Sequence, residues 1–174
     1  MLFRSGLVTV AVLARELEVY CLGRRDRPDP TVDIIEGLGA TYVDSRETPV
    51  DEVAAVHEPM DLVYEATGHA RHAFESVEAL APNGVAALLG VPGSWRFEID
   101  GGRLHEEFVL NNKAMVGSVN SGPRHFRTAA DTLADLPEAA LTDFVTRVVD
   151  YREFGDAFEA ADDIIKTAVQ FSER

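Results

Sequence analysis

Cysteine is almost absent from this chain, since Cys21 is the only one among 174 residues. A disulfide framework and a cysteine-based metal site are therefore excluded. The sequence also lacks an apolar run of the roughly 20 residues that a membrane-spanning helix needs, and it has no signal-peptide pattern at its N-terminus. These absences predict a cytoplasmic protein.

Lysine is scarce as well, because Lys113 and Lys166 are the only two and all other basic residues are arginines. Aspartate and glutamate number 30, and the formal net charge is −14. Such a charge argues against nucleic acid as a partner, because a phosphate backbone requires a basic face. An acidic surplus with little lysine is typical of proteins in concentrated salt, where the salt screens self-repulsion. We interpret the source as a halophile; an ordinary acidic mesophile is the alternative.

Apolar segments of strand length and helix length alternate along the chain, and 46% of the residues are hydrophobic, which is enough for one core. The almost wholly apolar run Val85–Val91 is typical of a parallel strand that is covered on both faces. The alternation predicts an α/β fold with a doubly wound, Rossmann-like parallel sheet. The predicted strands are Val19–Leu22, Ala40–Val43, Asp61–Ala66, Val85–Val91, a short edge strand Trp95–Ile99, Ala114–Val119, Val148–Tyr151 and Ile165–Phe171. The predicted helices are Gly6–Glu16, a helix capped by Asp29 and ended by Gly39, Val50–Val56, Ala70–Leu80, Leu104–Leu110, His125–Leu136, Leu141–Val145 and Phe154–Ala161.

The first strand and the glycine-rich turn of such a sheet are missing from the sequence. Gly6 stands where the last glycine of a G-x-G-x-x-G turn would stand, at the start of the predicted buried helix Gly6–Glu16. That turn normally places the cofactor pyrophosphate on a helix N-terminus. Met1–Ser5 differ in character from the helix that follows. We therefore expect residues 1–5 to be a non-native leader, residues 6–174 to be a partial dinucleotide-binding domain, and the gene to continue upstream.

The stretch VYCLGRRDRPDP, Val19–Pro30, contains a ligand-binding signal. A short apolar strand ends at Gly23, and Arg24 and Arg25 follow directly. At the end of the second strand of a nucleotide-binding sheet, a carboxylate suits a free ribose 2′-hydroxyl, whereas an arginine pair suits a 2′-phosphate. The pair favours NADP over NAD. The alternative is a surface turn in which Arg25 pairs with a nearby aspartate, Asp26 or Asp29.

Seven runs together resemble the nucleotide-binding domain of the medium-chain, zinc-dependent dehydrogenases, and among these the haloarchaeal glucose 1-dehydrogenases. The runs extend over nearly all of Gly6–Phe171 and are YCLGRRDRPDPT, ATYVDSR, YEATG, ALAPNGV, ALLGVP, NKAMVGSVNS and IIKTA. The resemblance implies a parent enzyme that oxidises glucose or a related aldose at C1 to the lactone, with hydride transfer to NADP or NAD. It also implies a homo-oligomer, and a zinc site in a separate N-terminal domain whose ligands are not in this chain.

The same resemblance implies cofactor contacts at five places in the chain. The 2′-phosphate would be held by Gly23, Arg24 and Arg25, and the crevice would be lined by Thr67 and Gly68. The nicotinamide would have Leu89, Gly90 and Val91 beside it, and its carboxamide would meet Ser118, Val119 and Asn120. The pyrophosphate would be approached by Lys166. Asn120 would also reach the sugar. The alternatives are plain strand-end turns for Gly68 and Gly90, a helix cap for Asn120 and a solvated charge for Lys166.

The histidines do not suggest catalysis or metal binding by themselves. His69 and His72 have a spacing that metal ligands use on a helix, but no third ligand lies near them in the sequence, so a surface pair is the preferred interpretation. No Ser/His/Asp or Cys/His nucleophile arrangement is present. No catalytic residue is therefore assigned to this chain. Two rival hypotheses are a non-catalytic nucleotide-binding module and an inactive gene fragment.

Overall fold

Helices and strands alternate along the computed structural model of the chain, which describes residues 4–159, 161 and 164–172. The helices are α1 (Arg4–Leu13), α2 (Pro30–Gly37), α3 (Val53–Val56, after a 3₁₀ turn Val50–Glu52), α4 (Ala70–Ala79), α5 (Gly101–Leu110), α6 (Pro123–Ala134) and α7 (Glu138–Phe144). The strands are β1 (Tyr20–Gly23), β2 (Thr41–Asp44), β3 (Met60–Glu65), β4 (Leu80–Leu88), β5 (Ala114–Gly117), β6 (Val145–Asp150) and β7 (Lys166–Gln170). None of the described helices is both long and apolar enough to cross a membrane.

Every strand pairing in the described part of the chain is parallel. The strands form three sheets, with orders β1-β2, β3-β4-β5 and β6-β7. In the doubly wound order 3-2-1-4-5-6, the first two sheets correspond to strands 3-2 and 4-5-6, and β1 and β3 would flank strand 1. The predicted α/β fold with parallel strands is confirmed.

The helix α2 shows how local sequence sets the element bounds. The Asp29 side chain accepts hydrogen bonds from the amides of Thr31 at 2.8 Å and Val32 at 3.4 Å, and Pro30 occupies the first turn. Gly39 follows with a φ of +88°, a conformation that favours glycine after a helix. Both predicted ends of this helix are confirmed to within two residues.

The main apolar core joins α1 and α2 to the β1-β2 sheet. Leu7 of α1, Val32 and Ile35 of α2 and Cys21 of β1 are buried in this cluster. Burial raises the pKa of the Cys21 thiol to about 11, so this cysteine is the buried strand residue that its position predicts. Phe144, at the end of α7, completes the same cluster from the C-terminal part.

The predicted edge strand Trp95–Ile99 is wrong, because residues 89–100 contain no regular secondary structure. Trp95 and Phe97 do lie on one side of the segment, with ring centroids 5.1 Å apart. They pack on α4 and the turn before it, where Phe97 meets Phe74 at 5.6 Å and Trp95 meets His69 at 5.2 Å. The alternation therefore arises from aromatic packing against a helix and not from strand pairing.

Several predicted bounds in the C-terminal part also need correction. The predicted helix Phe154–Ala161 is a 3₁₀ helix, Tyr151–Phe158, in which Glu153 has non-helical angles. It starts earlier than predicted because the Asp150 side chain accepts the amide of Arg152 at 2.8 Å. The predicted helix Leu141–Val145 ends one residue earlier, because α7 stops at Phe144 and strand β6 starts at Val145.

Candidate functional site

The carboxyl ends of β3, β4 and β5 lie side by side. Glu65 pairs with Leu88, and Leu88 pairs with Gly117, at the last position of each strand. The amide of Ser118 continues this ladder by donating to Leu88 O at 3.0 Å. Ligands of open parallel sheets bind in the crevice outside these strand ends. Three of the five predicted groups of site residues therefore share one edge of one sheet.

Two glycines allow the segments after β3 and β4 to touch. A Cβ atom on Gly90 would lie 2.1 Å from Gly68 N, and a Cβ on Gly68 would lie 2.8 Å from Val91 O. Gly68 also has a φ of +70°, which L side chains rarely adopt. Because the contacts are with backbone atoms, a side chain at either position would force the two segments apart. These glycines are more than plain turns; their role in cofactor binding stays a prediction.

Glu65 was not singled out from the sequence, yet it organises this crevice. Its side chain is 7% exposed at the end of β3. Oε1 accepts hydrogen bonds from Thr67 N at 2.7 Å, Thr67 Oγ1 at 2.5 Å and Gly68 N at 3.0 Å. An acidic residue between an apolar strand and a Thr-Gly turn is the signal that could have identified it.

Apolar side chains stand exposed beside the crevice. Val91 is 84% exposed and Val119 is 76% exposed, and Leu89 is exposed as well. A contiguous apolar surface beside convergent polar backbone groups is typical of a ligand site. The side chains predicted to run beside the nicotinamide are thus open to a ligand.

Asn120 does not cap the helix that follows it, so that alternative is wrong. The N-cap of α6 is Gly122, whose N–H donates to His125 Nδ1 at 3.1 Å. Asn120 itself is exposed, with a φ of +67°. Within the described residues, Ser118 N is used by Leu88, whereas the amides of Val119 and Asn120 donate to no protein acceptor. These two amides are the ones left for a ligand.

The end of β1 brings Gly23 against Tyr42, a residue that the sequence did not single out. A Cβ on Gly23 would lie 2.9 Å from Tyr42 Cε2. The buried Tyr42 hydroxyl accepts the amide of Arg25 at 2.7 Å. The Arg25 guanidinium donates to Asp29 at 2.7 Å. The surface pairing is therefore observed for Arg25 in the free chain, whereas a contact of Arg25 with a 2′-phosphate stays a prediction.

Arg24 is exposed, and its side chain makes no hydrogen bond or ion pair in the described part of the chain. Its charge acts on two titratable groups, one at the end of β2 and one in α4. The pKa of Asp44, at the end of β2, is lowered to about 2, mainly by hydrogen bonds from the Arg46 side chain and amide, with a further contribution from Arg24. The pKa of His72, in α4, is lowered by burial first and then by His69, with Arg24 contributing in the same direction.

The rings of His69 and His72 are in contact and tilted by 38°, with their centroids 4.2 Å apart. Thr67 Oγ1 accepts the amide of His69 at 3.0 Å and lies 3.5 Å from His72 Nδ1. Among the described residues, no group of three or more His, Cys, Asp or Glu side chains is arranged to hold a metal ion. The pair supports the Thr67–Gly68 turn.

Lys166 lies on a different sheet from the other predicted site residues. It begins β7, which pairs only with β6 among the described strands, and it is partly buried. Its neighbour Ile165 packs against the core cluster that contains Leu7 of α1. No described hydrogen bond or ion pair joins Lys166 to the crevice, so its pyrophosphate contact stays a prediction.

Comparisons with known proteins agree on one family. The family described as glucose dehydrogenase C-terminus matches residues 4–171. The glucose 1-dehydrogenase of Halobacterium salinarum is 61% identical over 97% of this chain and 49% of its own length. That of Haloferax mediterranei is 58% identical over 96% of this chain and 48% of its own length. The chain therefore spans about half the length of the curated relatives that it matches.

Solved structures give the same result. The Haloferax mediterranei glucose dehydrogenase in complex with NADP, Zn and gluconolactone has a TM-score of 0.91 and 56% identity, over 98% of this chain and 49% of that chain. An alcohol dehydrogenase from Thermotoga maritima, with a TM-score of 0.76, 23% identity and coverage of 94% and 46%, shares the fold. Because the family match, the sequence identity to these relatives and the structural similarity all agree, this chain belongs to the glucose dehydrogenase C-terminus family.

Proposed function

We propose that this chain is the NADP-binding part of a zinc-dependent glucose 1-dehydrogenase. The complete enzyme would oxidise the C1 hydroxyl of glucose to the lactone and transfer the hydride to the nicotinamide. The support is the 61% identity to one glucose 1-dehydrogenase and the likeness to another whose structure holds NADP, zinc and gluconolactone. A homo-oligomeric state, a cytoplasmic location and the lack of nucleic-acid or membrane partners stay predictions.

The cofactor assignment rests on Arg24, which directly follows Gly23 at the end of β1. Its guanidinium has no hydrogen-bond or ion-pair partner among the described residues. Gly23 brings the backbone close to the Tyr42 ring, which a side chain at this position would displace. A 2′-phosphate would gain charge-assisted hydrogen bonds from Arg24 without the loss of an existing ion pair. Arg25 would have to share its guanidinium with Asp29. We therefore assign the main 2′-phosphate contact to Arg24.

The crevice at β3, β4 and β5 fits the nicotinamide end of the same cofactor. Gly68 and Gly90 leave a surface formed by backbone, and exposed Val91 and Val119 would pack on the flat face of the nicotinamide ring and exclude water. The amides of Val119 and Asn120 are free to donate to the carboxamide oxygen. When bound, NADP would supply the hydride acceptor. The residues of this chain bind and orient it, and Asn120 could extend toward the sugar.

Metal ligands are not proposed within this chain. The described residues contain no donor set for zinc, and the relatives have a further half that this chain does not match. We place the zinc ligands and the acid–base groups in that half of the parent enzyme.

The cofactor assignment is tested by titrating the 174-residue chain with NADPH and NADH by calorimetry. We expect NADPH to bind more tightly. Arg24→Ala should weaken NADPH binding about tenfold and leave NADH binding within about twofold, because only NADPH has the 2′-phosphate. Arg15→Ala removes an exposed arginine without a described partner and should change neither affinity. An equal loss for both cofactors in Arg24→Ala would contradict the assignment.

The catalytic part of the proposal is tested by joining this chain to the N-terminal half of the Halobacterium salinarum relative. We expect the hybrid to reduce NADP with glucose as the substrate and to lose this activity when zinc is removed by a chelator. Zinc restored to the chelated protein should restore turnover. A folded hybrid that binds NADPH but does not oxidise any aldose would contradict the glucose dehydrogenase assignment and leave the nucleotide-binding module as the better hypothesis.

A further inference from the structure

Glu65, the last residue of β3, binds both the segment after β3 and the segment after β4. Its backbone oxygen accepts the amides of Leu89 at 2.9 Å and Gly90 at 3.0 Å. Its Oε1 accepts both donors of Thr67 and the amide of Gly68. One residue therefore binds the turn after β3 with its side chain and the segment after β4 with its main chain.

The buried carboxylate of Glu65 is stabilised by hydrogen-bond donors of its own turn. A carboxylate that is 7% exposed is costly to bury unless donors surround it. No lysine, arginine or histidine in the described residues forms an ion pair with it, so backbone and hydroxyl donors compensate the charge. An ionised carboxylate oxygen accepts three hydrogen bonds better than a neutral oxygen does, because the bonds are then charge-assisted.

The second oxygen of Glu65 lies against the glycine contact. Oε2 makes no hydrogen bond in the described part of the chain, and a Cβ on Gly90 would lie 2.6 Å from it. Every fully buried side-chain oxygen in the described residues has a hydrogen-bond partner. Oε2 is therefore not fully enclosed and borders the crevice between Gly68 and Gly90.

We infer that Glu65 is a positioning residue that sets the separation of the Thr67–Gly68 turn from the Leu89–Val91 segment, and that it thereby controls binding of the nicotinamide end of the cofactor. This inference rests on the proposed function. The 2′-phosphate contacts arise from Arg24 and Gly23, on the separate β1-β2 sheet. A change at Glu65 should therefore affect one end of the cofactor and not the other.

The experiment compares NADPH with adenosine 2′,5′-bisphosphate, which has the 2′-phosphate but no nicotinamide. Both ligands are titrated calorimetrically into the full chain and into Glu65→Gln, which keeps the side-chain shape and removes the charge. We expect Glu65→Gln to weaken NADPH binding about tenfold and to change binding of the bisphosphate by less than about twofold. Glu106→Gln, on an exposed face of α5, should change neither affinity.

A second pair of variants keeps the test decisive if Glu65→Gln does not fold. Thr67→Val removes the hydroxyl that donates to Glu65, and Thr67→Ser retains it. We expect Thr67→Ser to bind NADPH about fivefold more tightly than Thr67→Val, with no such difference for the bisphosphate.

The outcomes separate this inference from the proposed function. An equal loss of both ligands in Glu65→Gln would mean a general structural role and would overturn the inference, as would NADPH binding that does not change. A wild-type chain that binds the bisphosphate as tightly as NADPH would also overturn it, because the nicotinamide end would then contribute nothing. A wild-type chain that binds neither ligand would overturn the proposed function itself.

Discussion

Lys113 illustrates how single residues hold the elements of the second sheet together. Its side chain is only 5% exposed, and Nζ forms an ion pair with Glu107 at 2.6 Å and donates to Val77 O at 2.8 Å. Glu107 also accepts from Asn111 Nδ2 at 2.9 Å. The hydrogen bond from Lys113 is the main cause that lowers the pKa of Glu107 below its usual value. One of the two lysines in the chain therefore connects α4, α5 and the start of β5.

We predict that Lys113→Met destabilises the chain by about 2 kcal/mol at neutral pH. The loss of one partner of a fully buried pair costs roughly 3–5 kcal/mol, but the Glu107 side chain is 23% exposed, so water compensates part of it. The measurement is urea unfolding of the chain. Lys166→Met, which removes a partly buried lysine without a described partner, is the matched control and should cost less.

The same variant has a predicted pH dependence. The folded-state pKa of Glu107 lies below the unfolded value of 4.5, so its ionised form adds stability above pH 4.5. This contribution disappears as the pH falls through the folded pKa. The difference in unfolding free energy between wild type and Lys113→Met should therefore shrink below pH 4.5. A difference that stays constant down to acid pH would contradict the role of this ion pair.

At the scale of elements, the predicted site residues near β3, β4 and β5 follow the strands rather than lie within them. The turn Thr67–Gly68 follows β3, the segment Leu89–Val91 follows β4, and Ser118–Asn120 follows β5. Two predicted strands, Val85–Val91 and Ala114–Val119, ran past the observed strand ends at Leu88 and Gly117. The apolar pattern continues there after the pairing between neighbouring strands has stopped. The edge strand Trp95–Ile99 was wrong because its alternation is satisfied by aromatic contacts with α4 and the turn before it.

At the scale of the whole molecule, the acidic surplus is the dominant electrostatic feature. With 30 acidic and 16 basic residues, the chain repels itself at low ionic strength. Exposed ion pairs such as Arg27–Glu36 compensate little, because surface pairs contribute only a fraction of a kcal/mol. Relatives from Halobacterium salinarum and Haloferax mediterranei agree with the interpretation of a halophilic source.

We predict that the melting temperature rises in molar KCl by at least about 3 °C, equivalent to about 1 kcal/mol for a chain of this size. The cause is the screening of like charges that are otherwise within reach of one another. Thermal unfolding followed by circular dichroism provides the measurement. Sucrose stabilises by exclusion without screening charge, so it should give a smaller rise. Equal melting temperatures at low and high salt would contradict the halophile interpretation.

The order of most strands and helices and the cap of α2 can be derived from the sequence, because apolar periodicity and capping residues act over a few neighbouring residues. The strand ends beside the crevice cannot, because they depend on where the pairing between neighbouring strands stops. The choice between the roles of Arg24 and Arg25 cannot, because it depends on Asp29, whose position after a turn aims its carboxylate at Arg25. The importance of Glu65 likewise became visible only in three dimensions. Its donors come from Thr67 and Gly68 of its own turn, but its contact with Gly90 exists only because β3 and β4, separated by a helix in the chain, end side by side in the sheet.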